Sequence, residues 1–205
     1  MKTIFITSQK GGAGKTTIAR SLAVAADAAG QRVVMIDLDP QKSLREWWEA
    51  REAETPAMLD SDPSPTQLGP YLESLSADFD LAVIDTPPRA EEWLSKAMGL
   101  ADLTVIPVRA SPDDLRAVKL TLQAARGASA PFVFVLSQTG RDRLVDAVLA
   151  ELAAHGRVAP VRMVDRVAHR EASAVGQVGS EGADAKARAD IEGLWAYVKG
   201  VLNDG

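Results

Sequence analysis

The 205-residue chain contains no cysteine, only two histidines and few aromatic residues, which make up 5% of it. Without cysteine it can form no disulfide, thiolate zinc site or iron–sulfur cluster, and it has no cysteine nucleophile. Its histidines, His155 and His169, are too few and too isolated for a metal cluster. The absence of cysteine is compatible with a reducing compartment, so we expect a cytoplasmic protein.

The chain also lacks a long apolar run and an excess of positive charge. No segment approaches the roughly 18 apolar residues of a membrane span, and the short apolar N-terminus does not resemble a secretory signal. The 23 Lys and Arg residues against 28 Asp and Glu give a net charge of −5. This balance argues against a surface that is positive throughout, but it is compatible with a local basic patch.

Short apolar runs of strand length alternate with segments of helical periodicity. The sequence predicts strands over Thr3–Thr7, Arg32–Ile36, Leu81–Ile84, Leu103–Ile106, Pro131–Leu136 and, with a weaker pattern, Val158–Val164. It predicts helices over Thr16–Ala29, Ser43–Ala53, Thr66–Leu75, from about Glu91, and over Pro112–Arg126, Asp142–His155 and Asp184–Leu202, with Glu54–Thr66 as a loop. This alternation implies an α/β fold with a mostly parallel, twisted sheet and helices on both faces. No linker divides the chain, so we expect residues 1–205 to form a single domain.

The most informative segment is the glycine-rich stretch Gln9–Thr17, which lies between the first predicted strand and the first predicted helix. Three glycines in four positions let the backbone curl until its N–H groups converge on an anion. The helix that follows adds its positive N-terminal end. We therefore expect phosphates to lie against Lys10, Gly11, Gly12, Ala13, Gly14, Lys15, Thr16 and Thr17.

Within this stretch, Lys15 and Thr16 match the end of a Walker A motif. In such loops the lysine reaches the β- and γ-phosphates, and the hydroxyl that follows it ligates Mg²⁺. The standard spacing would place a glycine at position 9, where this chain has Gln9. The loop is therefore a variant of the motif, and Lys10 is its distinguishing additional residue.

Three aspartates, Asp37, Asp39 and Asp85, lie at the carboxyl ends of predicted parallel strands. Open α/β sheets bind their ligands at this edge. Each aspartate also has a simpler interpretation as a helix cap or a turn residue.

Three segments together resemble the motifs of the ParA/MinD superfamily of deviant Walker A ATPases. Lys10–Thr17 is similar to its phosphate loop, Asp37–Gln41 to its switch-like second motif, and Leu81–Pro88 to its Walker B strand. The resemblance is sharp up to about Asp114 and is closest to the small ParA-type partition ATPases that lack an N-terminal DNA-binding domain. It implies a single-domain P-loop NTPase fold that binds ATP and Mg²⁺.

The resemblance also implies roles for the site residues. Thr16 and Asp85 are implied to hold Mg²⁺, and Asp37 is implied to support the metal shell. Lys15 is implied to bind the phosphates, and Asp39 to orient the attacking water. Phosphoryl transfer needs this kind of positioning and charge neutralisation rather than covalent chemistry.

Lys10 is implied to act across a two-fold interface. The corresponding lysine of the family contacts the phosphates of the partner's nucleotide, like an arginine finger supplied in trans, so the resemblance implies that Lys10 is catalytic together with Lys15 and Asp39. ATP binding and homodimer formation are then linked. Asp114 lies in a segment that resembles a stretch near the nucleotide and the dimer face. We therefore treat it as a nucleotide-binding candidate, with helix capping as an equal alternative.

Basic residues gather near the carboxyl end of the chain, although its total charge is negative. The candidates for non-specific DNA binding are Arg166, Arg170, Lys186 and Arg188, since such binding needs phosphate contacts and no base readout. The resemblance implies nucleoid association and a ParB-like or centromere-binding partner protein that stimulates hydrolysis. The alternative interpretation is a solvated face of mixed charge.

Other members of the superfamily suggest alternatives. A MinD-like membrane helix is disfavoured, because Asp190–Gly205 has only Lys199 against three acids, so we expect no membrane contact and a helix packed on the core. Reductases with a cysteine-held cluster are excluded, and the related tyrosine kinases need a tyrosine-rich tail that is absent. An ATP-dependent metabolic enzyme and a helper ATPase of conjugative DNA transfer remain open, as does the cargo.

Overall fold

The computed structural model describes residues 1–87, 98–128, 131–139 and 144–204. The strands are β1 (Lys2–Ile6), β2 (Val33–Asp37), β3 (Ala57–Met58), β4 (Leu81–Asp85), β5 (Leu103–Val108), β6 (Phe132–Thr139), β7 (Arg157–Val158) and β8 (Met163–Val164). The helices are α1 (Lys15–Ala28), α2 (Ser43–Glu49), α3 (Leu68–Leu75), α4 (Pro112–Ala128), α5 (Leu144–Ala153), α6 (Val167–Ala174) and α7 (Ala185–Asn203). The start of the helix predicted from about Glu91 lies outside the described residues.

The eight strands form one sheet in the order β3-β2-β4-β1-β5-β6-β7, and β8 pairs with a later part of β6. Every strand pairing in the described parts of the chain is parallel. The register places Asp37 of β2 directly beside Asp85 of β4. The predicted α/β class, with a parallel sheet and the phosphate loop after the first strand, is confirmed.

Helices cover both faces of the sheet because successive strand residues point to opposite sides. Ile4 and Val105 face α1, α2 and α7 in the largest core cluster. Phe5 and Ile84 face α3 in a second cluster, and Phe134 faces α4 and α5 in a third. The strand ends that carry the glycine loop and the aspartates therefore rest on a buried scaffold.

The prediction of one continuous strand over Val158–Val164 is wrong. The chain forms two separate two-residue strands there, β7 and β8, and both pair with β6. Pro160 lies between them and has no N–H to donate, so the ladder is interrupted. As a result, β8 reaches the end of β6, at Ser137 and Thr139, close to the glycine loop.

The loop predicted over Glu54–Thr66 contains a short strand. Ala57 and Met58 of β3 pair in parallel with Val34 and Met35 of β2 and extend the sheet by one strand. Two residues are too few to produce the alternation from which a strand is predicted.

Two helix predictions need correction. The helix predicted over Ser43–Ala53 ends at Glu49, where the chain turns against Gly176. A Cβ on Gly176, which has φ +67°, would lie 2.3 Å from the Arg51 nitrogen. The prediction also omits α6, because His169 is the only buried residue of that helix and no apolar periodicity marks it.

The C-terminal helix α7 packs on the core, as predicted. Ile191, Leu194 and Val198 are fully buried and belong to the cluster that includes α1. Within the described ranges, no helix combines the length and apolar character needed to cross a membrane.

Candidate nucleotide-binding site

The glycine loop connects β1 to α1 at the carboxyl edge of the sheet. Gly12 and Gly14 have φ values of +73° and +89°, a backbone conformation that residues with a Cβ atom rarely adopt. Gly14 is the N-cap of α1, and no side chain caps this helix end. The first N–H groups of α1 are therefore free for a bound anion, and the helix dipole favours negative charge there.

The end of β6 holds the loop in position. The Ser137 hydroxyl donates a hydrogen bond of 2.5 Å to the Ala13 carbonyl oxygen. The Gln138 side-chain amide donates one of 3.1 Å to the Gly12 carbonyl oxygen. Because these bonds engage carbonyl groups of the loop, they leave its N–H groups for a ligand.

Two successive residues of the loop meet two strand-end carboxylates. Lys15 Nζ lies 3.6 Å from Asp39 Oδ2, and both side chains are almost fully buried. The Thr16 hydroxyl donates a hydrogen bond of 2.6 Å to Asp85 Oδ2. The backbone N–H of Gln41 donates to the other oxygen of Asp39, which fixes that carboxylate beside the lysine.

Asp85 is completely buried, and its Oδ1 atom has no hydrogen-bond partner within the described chain. Burial raises the pKa of Asp85 to about 7, although the Thr16 hydroxyl and the charge of Lys15 oppose the shift, and the neighbouring Asp37 and Asp39 add to it. An acceptor of this kind beside a threonine hydroxyl fits Mg²⁺, which takes few protein ligands and keeps several waters when it binds phosphates. The described residues contain no cluster of three or more His, Asp or Glu side chains that could hold a metal ion.

The carboxylate of Asp37 holds the switch-like segment Asp37–Gln41 in position through backbone hydrogen bonds. Its two carboxylate oxygens accept hydrogen bonds from the backbone N–H groups of Asp39, Leu44 and Arg45, at 2.9 to 3.1 Å. These bonds tie the turn that carries Asp39 to the first residues of α2. Asp37 therefore acts in this arrangement as a turn and helix-end residue, and its role in the metal shell stays a prediction.

Lys10 and Asp114 meet on the other side of the loop. Lys10 Nζ lies 2.9 Å from Asp114 Oδ2, and Arg109 Nε is 3.4 Å from Asp114 Oδ1. Ser111 and Asp114 also exchange hydrogen bonds at the start of α4, which is a helix-capping arrangement. Burial by itself would raise the pKa of Asp114, but the Ser111 hydroxyl and the two cations outweigh it and lower the pKa. Asp114 thus combines the capping role with a contact to the loop.

Two cavities adjoin the glycine loop. The loop cavity, of about 630 Å³, lies over the loop and extends to α2, with Lys15, Thr16 and Asp39 in its wall. The side cavity, of about 410 Å³, lies between α1, β6, β8 and α6, with Val164 and His169 in its wall. The residues common to both walls are Gly14, Thr17, Arg20, Gln138 and Ser173.

The sequence prediction missed several residues of these walls, among them Arg20, Ser137, Gln138, His169 and Ser173. Arg20 had a usable signal, since it follows Thr16 by four residues on the same helix and so shares its face. The others belong to β6 and α6, which no motif links to the loop. Only the assembled sheet brings them to it.

The four basic residues proposed for DNA binding lie near α6 and α7, but in different electrostatic settings. Arg166 makes two hydrogen bonds to Asp190, at 2.6 and 3.1 Å, and this carboxylate raises the pKa of Arg166. Arg170 pairs with Asp165 on the surface. Lys186 and Arg188 are exposed and form no ion pair within the described chain, although Arg188 donates to a backbone carbonyl. The surface is therefore of mixed charge in one protomer.

Comparison with known proteins places this geometry in context. The family described as the CobQ/CobB/MinD/ParA nucleotide binding domain matches residues 4–187. Maintenance of carboxysome distribution protein A from Halothiobacillus neapolitanus is 32% identical over 131 residues, which cover 62% of this chain and 59% of that protein. The chain thus spans only about three fifths of that relative's length.

A second relative and a solved structure extend the comparison. The chromosome-partitioning ATPase Soj from Thermus thermophilus is 28% identical over 191 residues, which cover 76% of this chain and 77% of Soj. The structure of apo McdA from Cyanothece has a TM-score of 0.80 at 22% identity and covers 98% of this chain, which covers 99% of it. At that identity the likeness shows a shared fold.

Proposed function

Because the chain belongs to the CobQ/CobB/MinD/ParA nucleotide-binding family, we propose that it is a Mg²⁺-dependent ATPase of the ParA type. In this proposal it forms a homodimer on binding ATP, binds DNA without sequence preference and positions a cargo in the cytoplasm. A partner protein bound to the cargo stimulates hydrolysis.

One observation carries the catalytic part of this proposal. The adjacent loop residues Lys15 and Thr16 each contact a strand-end carboxylate, Asp39 and Asp85 respectively. A lysine, a hydroxyl and two carboxylates at the mouth of an anion-binding loop are the groups that phosphoryl transfer requires. An ordinary glycine turn between a strand and a helix needs none of them.

Each of these residues has a distinct task in the proposed reaction. The N–H groups of the loop and Lys15 bind the phosphates, while Thr16 and Asp85 would hold Mg²⁺. When bound, Mg²⁺ neutralises phosphate charge and polarises the terminal phosphoryl group. Asp39 orients the attacking water, a task for which its fixed position beside Lys15 suits it.

The side cavity supplies the remaining space for the nucleotide. Its volume of about 410 Å³ is within the range of small-ligand sites, and it adjoins the loop cavity, with which it shares five lining residues. The sugar and base would occupy it while the phosphates lie over the loop. This arrangement uses both cavities with a single ligand.

Dimerisation and DNA binding are supported by charge placement. Lys10 has a partly exposed side chain at the rim of the loop, from which it can reach a second protomer. Lys186 and Arg188 are exposed cations two residues apart in the first turn of α7. A dimer would double any such contacts, and non-specific binding strengthens with each phosphate neutralised. The named relatives act in carboxysome distribution and chromosome partitioning, which share the positioning of a cargo.

Turnover measurements test the proposal. Purified protein should bind ATP in the presence of Mg²⁺ and hydrolyse it slowly, with stimulation by DNA and a partner protein. Asp39→Asn should retain ATP binding and lose hydrolysis, whereas Asp146→Asn, a change of an exposed aspartate on α5, should match the wild type. Hydrolysis that depends on a small-molecule substrate, and is indifferent to DNA, would contradict the positioning function.

A further inference from the structure

Arg20 is a buried cation that the roles assigned so far do not use. Its residue is only 9% exposed, and its guanidinium donates a hydrogen bond of 2.5 Å to the Ser173 hydroxyl. Its Cζ atom also lies 5.7 Å from the ring centroid of Trp47. Burial lowers the pKa of Arg20 to about 10, so the side chain is still charged at neutral pH.

No carboxylate in the described parts of the chain forms an ion pair with Arg20. Arg51 shows the contrast, because its Cζ lies 5.5 Å from the same Trp47 ring. Arg51 is neutralised by Glu181, to which it makes two hydrogen bonds of 2.7 and 3.0 Å. A buried charge without a counter-ion is costly, and a guanidinium carries several N–H donors, only one of which Ser173 occupies.

The position of Arg20 shows which anion it can meet. It belongs to the wall shared by the loop cavity and the side cavity, together with Gly14 and Thr17. Side chains of a helix incline towards its N-terminus, and Arg20 follows Thr17 by three residues, so it lies on the same face one turn further along. In the proposed placement, with the phosphates over the loop and the sugar and base in the side cavity, this shared wall lies beside the phosphate that is joined to the sugar.

We propose that Arg20 binds the phosphate that is attached to the sugar, the α-phosphate, of a nucleotide in this site. The inference rests on the proposed nucleotide site and adds a binding residue to it. Arg20 supplies the counter-charge for the α-phosphate, while Lys15 and the loop bind the outer phosphates. The same guanidinium lies over the Trp47 ring of α2 and donates to Ser173 of α6, so a phosphate bound to Arg20 lies close to both side chains.

Binding of a graded series of ligands tests this inference. Affinities of adenosine, AMP and ADP are measured by calorimetry for the wild type, Arg20→Met, Arg20→Lys and the control Asp146→Asn, which changes an exposed residue outside both cavities. Arg20→Met keeps the apolar stem and removes the charge. It should weaken AMP and ADP by a similar factor, about tenfold to a hundredfold, and leave adenosine unchanged, since only the phosphorylated ligands carry the α-phosphate. Arg20→Lys should restore part of the affinity, and Asp146→Asn should bind as the wild type does.

The alternatives give different patterns. Equal weakening of adenosine, AMP and ADP by Arg20→Met would mean that Arg20 only shapes the cavity, and unchanged AMP and ADP affinities would also overturn the inference. If the wild type binds ADP and Arg20→Met binds it with the same affinity, only the role of Arg20 is overturned. If the wild type binds no adenine nucleotide, the proposed nucleotide site is overturned and the inference with it.

A fluorescence measurement that keeps Arg20 in place covers the case in which Arg20→Met does not fold. AMP should change the fluorescence of Trp47, obtained as the difference between the wild type and Trp47→Phe, and adenosine should not. The inference would be overturned if AMP and adenosine changed the Trp47 fluorescence equally. It would also be overturned if neither changed it although ADP binds.

Discussion

The ammonium group of Lys10 lies 2.9 Å from Asp114 Oδ2 of its own chain. A lysine proposed to act on the nucleotide of a second protomer therefore already has an acceptor within its own protomer. To cross the interface it must exchange a carboxylate for phosphate oxygens, which are also charged acceptors. The exchange conserves the type of contact, so its cost is modest compared with breaking the ion pair without replacing it.

Removing the Lys10 side chain should separate nucleotide binding from dimerisation. Lys10→Ala should bind ATP as a monomer and lose the ATP-dependent dimer, because the contact across the interface is absent. Light scattering with and without ATP measures the change, and Lys199→Ala, at an exposed position of α7, is the control. ATP-dependent dimerisation that survives unchanged would refute the proposed role.

Asp114 also contributes to stability. Asp114→Asn should lower the free energy of unfolding by about 1 to 3 kcal/mol, because a buried acceptor of the Lys10, Arg109 and Ser111 side chains loses its charge. Denaturant titration measures the effect. Asp113→Asn is the matched control, since Asp113 is exposed and pairs with Arg116 on the surface. Equal effects of the two changes would contradict the structural assignment.

The pKa of Asp85 predicts an unusual pH dependence for the nucleotide-free protein. The folded-state value of about 7 lies above the ordinary value of 3.8, so between these limits the folded chain binds a proton that the unfolded chain releases. Stability therefore falls as pH rises through this window, with a slope approaching about 1.4 kcal/mol per pH unit, and the loss is complete above about pH 7.

Asp85→Asn should remove this contribution. The difference in unfolding free energy between the wild type and the variant, measured by urea denaturation, should move steadily in favour of the variant from about pH 4 to about pH 7. The same variant should lose Mg²⁺-dependent hydrolysis. A difference that is constant with pH would show that Asp85 titrates normally.

Two glycines should respond to alanine in opposite directions. Gly176→Ala should destabilise the fold by about 1 kcal/mol or more, because φ is +67° and the new Cβ would lie 2.3 Å from the Arg51 nitrogen. Gly200→Ala should stabilise it by about 0.5 to 1 kcal/mol, because Gly200 lies within α7 with nothing in reach of the added carbon. Thermal unfolding distinguishes the two, and a Gly176→Ala variant as stable as the wild type would contradict the packing of Gly176 on Arg51.

The exposed cations at the start of α7 should dominate DNA retention. Replacing Lys186 and Arg188 with glutamine should weaken non-specific binding and reduce the slope of log affinity against log salt by about one for each phosphate that is no longer neutralised. Lys199→Gln serves as the control on the same helix. Arg166→Gln should mainly destabilise the fold, because Asp190 loses the two hydrogen bonds and the positive charge that Arg166 supplies. Retention that is unaffected by the double change would remove Lys186 and Arg188 from the DNA surface.

Much of this site could be predicted from sequence because its parts are local. The glycine loop is a run of adjacent residues, and Asp37, Asp39 and Asp85 each follow a strand whose apolar pattern is plain. A parallel sheet brings such strand ends to one edge whatever their separation in the chain. The positions of the glycine loop and of the strand-end carboxylates therefore follow from pattern and topology. Their roles towards phosphate, Mg²⁺ and water come from the resemblance to the ParA/MinD superfamily and stay predictions.

The rest depends on tertiary packing that has no local signal. The pairing of Lys10 with Asp114 joins residues 104 positions apart, and α6 has almost no apolar pattern because a histidine is its one buried residue. The ion pair of Arg166 with Asp190 likewise becomes visible only when α6 and α7 pack together. A count of basic residues in the sequence cannot distinguish a neutralised cation from a free one.

The central place of β1 in the sheet gives the phosphate loop two different neighbours. On the β4 flank it meets Asp85 through Thr16, and on the β5 flank it meets Asp114 through Lys10. The residues proposed to hold Mg²⁺ thus lie on the β4 side of the loop, and the lysine proposed to reach the second protomer lies on the β5 side. Substitutions on the β5 side leave Thr16 and Asp85 in place and change first how long two protomers stay together. Because Lys10 is proposed to contact the phosphates of the partner's nucleotide, they change the rate of the reaction through the dimer rather than through the Mg²⁺ site.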